Sequence, residues 1–460
     1  MEIPGFNPSC PGCVALLKIV EQMQSRIQHL EQRLEKVERE GKRQAAPFRK
    51  KRKPDRKPPG RKSGPDHGQH HRRSIPERID ETHCVPLPEC CPDCGGRDLT
   101  KTGTRTQYQV DIPRSVIHRQ FEIEAGMCCG CGAAVQGRHE LQTSDATGAA
   151  GVQLGPNIHA AIAICNKELG LSHGKVQRLL AMLFEVTIGR STSCRSILRT
   201  ARRLEWARDP LRLAVRGSPQ VVADETGWRV DGRGAWLHAF VGLSATYYEI
   251  DPTRSVEPAK RLLGMDWSGI LVHDGWGVYD KFKKAVHQQC LAHLLRRCKT
   301  LIENGTGGAL AFPRAVKKLL FQGLEYRNGF QNGEMTAHGL KVMAGRLTQK
   351  LDNLVAPIKT NAANERFAKF LENHVGEIFT FLRHPGADAT NYRGEQAIRP
   401  AVVNRKVWGG NRTENGAQAQ SLLMSIIRTC YQRLADPFIF LRHQLTSPTP
   451  IELPPPILAR

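Results

Sequence analysis

The sequence predicts a multidomain α+β protein in which a mixed β-sheet follows several smaller modules. Three observations support this class: strand-like segments between residues 220 and 273, a long helical stretch from residue 290, and cysteines clustered well before the sheet. At about 100–200 residues per domain, a chain of 460 residues can form two to four domains.

The chain is strongly basic, because 67 Lys and Arg against 44 Asp and Glu give a formal net charge of +23. This excess favours a polyanionic partner such as nucleic acid, and a merely basic protein is the alternative. No stretch reaches the roughly 18 consecutive apolar residues of a membrane span, and the first residues lack the features of a signal peptide. We therefore expect a cytoplasmic protein with no membrane partner.

An amphipathic helix is predicted near the N-terminus. Apolar residues recur from Leu16 to Val37 at alternating spacings of four and three, with charged and polar residues between them. This narrow apolar stripe predicts a coiled coil and hence a homo-oligomer, and a helix packed on its own chain is the alternative. Cys10 and Cys13 precede it as one Cys-x-x-Cys pair without a second half.

Residues 41 to about 75 are rich in Lys and Arg and nearly free of apolar side chains. Because this composition cannot form a core, it predicts a disordered linker. We expect its cations to contact DNA phosphates and release counterions, and a solvated segment is the alternative. The candidate DNA contacts are Arg49, Lys50, Lys51, Arg52 and Lys53.

Two Cys-x-x-Cys pairs follow, separated by 33 residues. In a reducing compartment such pairs favour metal binding over disulfides, and two tight turns carrying two thiolates each can close a tetrahedron around Zn²⁺. The predicted zinc ligands are Cys91, Cys94, Cys128 and Cys131, and four ordinary thiols are the alternative. Between the pairs, the alternating runs 107–112 and 116–123 predict the two strands of a hairpin.

Helical patterns occupy residues 153 to about 203. One helix opens at 156–164, a second at 171–184 begins with a Ser cap, and a third at 191–203 is polar and carries several arginines. A short helix followed by an Arg-bearing helix favours a helix-turn-helix, with plain scaffolding as the alternative. Arg195 and Arg199 would then contact DNA.

From residue 220 the pattern changes to strands. The predicted elements are strands at 221–230, 235–243 and 246–250, a helix at 256–263 and a fourth strand at 269–273. The turn signal Asp231–Gly234 joins the first two strands as a hairpin. Three antiparallel strands, a helix and a further strand predict the first half of a ribonuclease-H-like sheet. The helical residues 290–385 are then an insertion into this core.

Asp224 and Asp274 lie fifty residues apart, each at the end of an apolar, strand-like run. Phosphodiester cleavage by two divalent ions about 3.5–4 Å apart requires hard oxygen ligands. The pattern predicts a magnesium site in which Asp224 bridges both ions and Asp274 holds one, and a turn or helix cap is the alternative for each aspartate. Glu225 points to the opposite face of a regular strand and ranks lower.

Five motifs in order resemble the DDE transposases of the insertion-sequence-66 family. They lie at residues 223–228, 273–279, 289–296, 390–400 and 403–412. The resemblance implies a ribonuclease-H-like core with a D, D, E set, dependence on Mg²⁺ or Mn²⁺, and cleavage and joining at the ends of a mobile element. The two aspartates of the set fall on Asp224 and Asp274.

The third carboxylate is Glu395 or Glu414. Glu395 is preferred as a catalytic residue and magnesium ligand, since Arg399 follows one helical turn later and could neutralise phosphate on the same face. Glu414 precedes a helix and resembles an N-terminal cap. Tyr392 stands where the family motif often has a second Asn.

Two further groups of residues have open roles. Cys290 and His293 have a spacing that permits metal binding, but a positioned or DNA-facing histidine is the preferred interpretation. Trp228, Trp276 and Trp408 could stack on a splayed base, with packing in the core as the alternative.

These observations predict a transposase that acts on terminal inverted repeats and target DNA and associates with chromosomal DNA. A catalytically inactive, zinc-containing DNA-binding regulator is one alternative, and a nuclease without strand joining is another. The predicted segments are a coiled coil at 1–40, a basic linker at 41–80, a zinc-binding module at 81–145, a helix-turn-helix-like domain at 146–215, the sheet-bearing core at 216–289 and 386–445, the insertion at 290–385 and a tail at 446–460.

Overall fold

The computed structural model describes residues 75–456, apart from 111, 113–115 and 152, together with residues 22–24 and 27. The chain divides into two compact units, Met1–Asp111 and Ile112–Arg460. The predicted coiled coil lies almost wholly outside the described residues, although 22–24 and 27 are helical. The basic residues from Arg49 to Lys53 also lie outside them.

The predicted hairpin between the cysteine pairs is wrong. None of the described residues in the runs 107–112 and 116–123 belongs to a strand, and Val110 and Ile117 are exposed. An alternating pattern forms a strand only where one face has a core to pack against. The short antiparallel strands β1 (Ala125–Met127) and β2 (Ala134–Gln136) form instead, on either side of the second cysteine pair.

Four helices lead to the main sheet: α1 (Pro156–Lys167), α2 (His173–Phe184), α3 (Arg190–Arg203) and α4 (Arg208–Arg216). Helix α2 begins at the predicted cap, because Ser172 Oγ accepts a hydrogen bond from the Lys175 N–H at 3.3 Å. Helix α3 buries Ser193 and Ile197 and packs against α1 and α2. This small inward face leaves its arginines on the outside.

A five-stranded mixed sheet forms the centre of the second unit. Its strands are β3 (Gln220–Val230), β4 (Arg233–Val241), β5 (Thr246–Asp251), β6 (Ile270–His273) and β7 (Val286–Gln289), and helix α5 (Glu257–Leu263) connects β5 to β6. The strand order is β5-β4-β3-β6-β7, with β3, β4 and β5 antiparallel and with β6 and β7 parallel to β3. The first four strands agree with the predicted runs to within two residues, whereas β7 was not predicted.

Nine further helices follow the sheet strands in the part of the chain that the structure describes. They are α6 (Leu291–Asn304), α7 (Ala311–Gln331), α8 (Ala337–Val355), α9 (Ala362–Asn373), α10 (Val375–Ile378), α11 (Thr380–Arg383), α12 (Tyr392–Trp408), α13 (Glu414–Gln432) and α14 (Pro437–Thr446). Helices α6 to α11 enclose a core of their own that includes Leu320, Leu347 and Phe367. Within the described residues, no helix is both long and apolar enough to cross a membrane.

Alternate residues of β3 enter two different cores. Val221 and Ala223 pack with helices α1 to α4 on one face, whereas Val222 packs with Ala397 and Ala401 of helix α12 on the other. This alternation is the two-residue period of a strand buried on both sides. It fixes which residues of β3 face helix α12.

Helix α13 covers the outer edge of the sheet at β5. Ser425 Oγ accepts a hydrogen bond from the Tyr248 N–H at 2.9 Å, and Thr429 Oγ1 accepts one from the Thr246 N–H at 3.1 Å. Edge strands carry unpaired backbone groups that a protein must cover or leave to water. Here side-chain hydroxyl groups on a buried helix face replace a sixth strand.

We predict that Ser425→Ala lowers the free energy of unfolding by about 1–3 kcal/mol, because the buried Tyr248 N–H loses its acceptor. Urea denaturation of the purified protein measures this loss. Ser421→Ala is the matched control, since its hydroxyl donates only to Ala417 O of the same helix, at 3.1 Å. Equal losses in the two variants would contradict a special role for the edge contact.

Candidate active site

Asp224 and Asp274 lie side by side at the centre of the sheet. Strands β3 and β6 pair in parallel with a constant offset of 50 residues, as in Val222 opposite Val272. Continuing this register by two residues sets Asp274, the first residue after β6, opposite Asp224. Both aspartates are two residues beyond a paired valine, and the charge of Asp274 acts on Asp224, so the two carboxyl groups are close to each other.

The environment of Asp224 is strongly acidic. Burial, followed by the negative charges of Glu225 and Asp274, raises the pKa of Asp224 to about 7, and Glu395 adds to the effect. The Glu225 N–H donates a hydrogen bond to Asp224 Oδ1 at 2.9 Å, which opposes the shift only in part. Asp274 Oδ1 accepts a hydrogen bond from the Trp276 N–H at 3.0 Å. The carboxylates therefore lack full compensation by protein cations.

Helix α12 brings Glu395 to the same region. A Cβ atom added at Gly394 would lie 3.1 Å from Asp224 Cβ, so the first turn of the helix rests directly on Asp224. Glu395 itself forms an ion pair with Arg296 of helix α6, and His293 Nε2 lies 4.0 Å from its Oε1. Arg399, which was predicted to neutralise phosphate on the same helical face, is exposed.

Glu414 lies elsewhere. It lines a separate cavity beside β5 with Glu249 and Arg261, and it does not contribute to the pKa shift of Asp224. It is also the first residue of helix α13, directly after the Thr413 cap. Of the two candidates for the third carboxylate, Glu395 is the one whose charge reaches Asp224.

Glu225 is a fourth carboxylate in this region, and it has its own counter-charge. Its side chain is only 2% exposed and accepts hydrogen bonds from Arg254 Nη2 at 2.6 Å and from the Tyr279 hydroxyl at 3.3 Å. The Arg254 guanidinium in turn lies over the rings of Trp276 and Trp236, 4.4 and 4.8 Å from their centroids. Arg254 thus contacts the residue after Asp224 and a residue just after Asp274.

Two histidines support the turn that carries Asp274. The Gly275 N–H donates to His273 Nδ1 at 3.3 Å, and His273 Nε2 lies 3.1 Å from His287 Nδ1. His287 Nε2 then lies 3.0 Å from the Phe282 carbonyl oxygen. Burial, assisted by the charge of His287, lowers the pKa of His273 to about 3, so its ring stays neutral and accepts the backbone hydrogen bond.

Sequence reasoning missed Arg254, Arg296 and the two histidines as neighbours of the site. Arg296 and Glu395 are 99 residues apart in sequence, and Arg254 and Glu225 are 29 apart. No local periodicity links residues at such separations. The only signal was the presence of His273 and Arg296 within the family motifs.

The acidic cluster has the donor chemistry of a divalent-cation site. Among the described residues of the second unit, no three His, Cys, Asp or Glu side chains already converge closely enough to hold a metal ion. Carboxylate oxygens are nevertheless the hard ligands that Mg²⁺ and Mn²⁺ take. The raised pKa of Asp224 comes first from burial and then from neighbouring negative charges, and a bound cation would offset both effects. Glu395 contacts Arg296 through Oε1, so its side chain would join such a site through Oε2 or by turning away from Arg296.

Each cysteine pair adopts the same turn. In the first unit the Cys91 N–H donates to Gly96 O at 2.8 Å, and the Gly95 N–H donates to Cys91 O at 2.9 Å. In the second unit Cys128 makes the corresponding bonds with Ala133 and Gly132, at 2.8 Å each. The backbone N–H groups of Cys94 and Asp93 lower the pKa of Cys91, and those of Cys131 and Gly130 lower the pKa of Cys128.

The candidate DNA contacts in helix α3 are on its surface. Arg195 and Arg199 are exposed, and the preceding helix α2 is tied to α3 by His173 Nδ1 and Ser193 Oγ, 2.9 Å apart. This arrangement is compatible with a helix-turn-helix. Scaffolding remains compatible with it as well, because α3 also packs on helix α13.

Trp228 is part of the core. It is 2% exposed, its Nε1 donates to Asn411 Oδ1 at 2.8 Å, and its ring meets Trp408 edge-on with centroids 5.8 Å apart. Trp276 packs edge-on against Tyr279 and lies under Arg254. Burial of Trp228 excludes it as a platform for a splayed base in this conformation.

We predict that Asp224→Asn stabilises the folded protein more at about pH 8 than at about pH 5. The pKa of Asp224 is raised from 3.8 to about 7 on folding, so between these values only the folded state binds the proton. Stability therefore falls as pH rises through this window, and the variant removes that loss. Urea denaturation of both proteins at the two pH values measures it, and a difference independent of pH would contradict it.

Comparison with known proteins identifies the family. The model of the transposase IS66 family matches residues 151–419, which include both aspartates and Glu395. No curated protein matches the chain. The match covers more than half of the sequence and contains the central strands β3 and β6 together with helix α12. The chain belongs to the IS66 family of transposases.

Proposed function

We propose that this transposase cleaves DNA at the ends of an insertion sequence and joins the freed 3′ ends to target DNA, with a divalent cation as cofactor. The observation that carries the proposal is the parallel pairing of β3 with β6 just before Asp224 and Asp274, with Gly394 of helix α12 packed on Asp224. The strand order β5-β4-β3-β6-β7, with only the last two strands parallel to β3, supports a ribonuclease-H-like core.

Asp224, Asp274 and Glu395 are the residues that would hold Mg²⁺ or Mn²⁺. When bound, such ions activate the attacking oxygen and stabilise the leaving oxygen of an in-line displacement. In the first reaction water attacks the phosphorus atom, the P–O3′ bond breaks, and a 3′-hydroxyl group is released. In the second reaction this hydroxyl attacks a phosphodiester of target DNA. The new P–O bond forms as the P–O3′ bond of the target strand breaks, and the proton lost by the attacking hydroxyl is balanced by the one that the released target 3′-hydroxyl takes up.

The protein groups around the carboxylates have separate tasks in this mechanism. Arg254 neutralises Glu225, so the charge available to a cation is that of the other three carboxylates. His273 and His287 hold the turn after β6, which limits the movement of Asp274. Arg296 now pairs with Glu395, and its guanidinium would be free to bind a DNA phosphate if Glu395 turned toward a bound cation.

The remaining modules are proposed to bind and assemble the DNA ends. The basic segment from Arg49 to Lys53 and the exposed Arg195, Arg199 and Arg399 would contact phosphates, and the N-terminal coiled coil would pair copies of the chain. The equivalent turns at Cys91 and Cys128 support a zinc site completed by Cys94 and Cys131. Terminal inverted repeats and target DNA are the proposed partners.

We predict that Asp274→Asn lowers strand transfer by roughly 100-fold or more, because one charged ligand of the site is lost, while binding to the element ends is retained. An in vitro strand-transfer assay on paired end fragments, run beside a gel-shift assay, measures both. Asp266→Asn is the matched control, since Asp266 is exposed and pairs only with Lys284, at 2.7 Å.

Retained strand transfer in the Asp274→Asn protein would reject the enzyme and leave a DNA-binding regulator. Cleavage without joining in the unaltered protein would identify a nuclease instead. Loss of activity in both the Asp266 and Asp274 variants would point to a folding defect and would not support the site.

We predict that the purified protein holds roughly one zinc ion per chain and that Cys91→Ser combined with Cys128→Ser removes it, because each substitution takes one thiolate from the tetrahedral set. Metal analysis by mass spectrometry measures the content. Cys129→Ser is the control, since Cys129 lies beside the ligands, is exposed, and stands outside the Cys-x-x-Cys pattern. Unchanged zinc in the double variant would exclude this set.

A further inference from the structure

Asn391 has a buried side chain that the protein leaves unpaired. It is fully buried, and neither its Oδ1 nor its Nδ2 has a hydrogen-bond partner among the described residues. Its backbone is fully used, because the N–H donates to Cys290 Sγ at 3.0 Å and the carbonyl accepts from the Glu395 N–H at 2.9 Å. A buried amide without partners is costly, so this one requires an explanation.

The amide group borders the acidic cluster. A Cβ atom added at Gly394 would lie 3.1 Å from Asn391 Cγ and equally 3.1 Å from Asp224 Cβ, and it would collide with Asn391 Oδ1. The separation between Asn391 Cγ and Asp224 Cβ is therefore at most twice that distance. Glycine at position 394 keeps this space free between the amide and the carboxylate.

Helix capping does not account for the side chain. Asn391 precedes the first residue of helix α12, where an asparagine normally accepts a hydrogen bond from the helix. It makes no such bond. Asn361 at the start of helix α9 does, because its Oδ1 accepts from the Ala363 and Asn364 N–H groups at 3.0 and 3.1 Å. The same residue type thus behaves differently beside Asp224.

We propose that the side-chain oxygen of Asn391 is a further ligand of the divalent cation held by Asp224 and Asp274, an inference that rests on the proposed function. An amide oxygen is a hard, neutral donor of the kind that these cations accept. An uncharged ligand is favourable at position 391, because Asp224 is already repelled by the carboxylates of Glu225, Asp274 and Glu395. A fifth negative charge would deepen that repulsion whenever no cation is bound.

The location of Asn391 also couples cation binding to helix α12. Its carbonyl oxygen accepts the N–H of Glu395, four residues later, so both side chains project from the same helical turn. A cation bound to Asn391 and Asp224 therefore fixes the start of the helix against β3. Glu395 would then lie near the bound cation even while its side chain is still paired with Arg296.

The test is a Mg²⁺ titration of full-length protein, followed by thermal unfolding without DNA, for the unaltered chain and for Asn391→Ser, Asn391→Asp and Asp274→Asn. Serine and aspartate cap helices about as well as asparagine. We expect Asn391→Ser to need roughly 10-fold more Mg²⁺ for the same stabilisation. Asn391→Asp, which keeps an oxygen ligand, should respond at least as strongly as the unaltered protein.

Asn361→Ser is the matched control, because it makes the same substitution at the asparagine that caps a different helix, α9. It should leave the Mg²⁺ response unchanged. A normal response in Asn391→Ser, together with a lost response in Asp274→Asn, would overturn the inference and leave the carboxylate site intact. A normal response in Asp274→Asn would instead overturn the proposed function. If Asn391→Ser fails to fold, a weaker response in Asn391→Asp than in the unaltered protein overturns the inference.

Discussion

Repulsion between crowded carboxylates is the constraint around which this site is arranged. Asp224 is buried, which raises its pKa, and the charges of Glu225, Asp274 and Glu395 each raise that pKa further. Arg254 neutralises Glu225 and Arg296 neutralises Glu395, but no ion pair with a protein cation is formed by either aspartate in the described chain. The proposed divalent cation would supply the positive counter-charge that Asp224 and Asp274 lack.

The fold holds these like charges together through its backbone. Parallel pairing of β3 with β6 fixes the two aspartates in register, and the Tyr248 hydroxyl, which donates to Ala397 O at 2.6 Å, ties helix α12 to the sheet. Burial of apolar residues on both faces of the sheet provides the free energy that offsets the repulsion. Such an acidic cluster would disperse in a less rigid framework.

Much of this arrangement could be predicted from local sequence. The apolar runs predicted strands β3 and β6. Asp224 and Asp274 were predicted as site residues because each lies at the end of one of these runs. The choice between Glu395 and Glu414 required the tertiary structure, because both lie in the first turn of a helix and only packing separates them. Strand β7 was missed, since Val286–Gln289 is short and polar and is a strand only beside β6. The hairpin predicted between the cysteine pairs is the opposite error. There the sequence alternates as a strand would, but among its described residues no core lies beside it and no strand forms.

Both margins of the central sheet are closed to further strands. Hydroxyl groups of helix α13 occupy the backbone donors of β5, and on the other side Thr380 Oγ1 donates to the His287 carbonyl oxygen of β7 at 2.7 Å. A second molecule therefore cannot extend the sheet by adding a strand at these hydrogen-bonding groups. If copies of the chain assemble on DNA as proposed, they would meet through helices, loops or the DNA itself, and their central sheets would stay separate within the assembly.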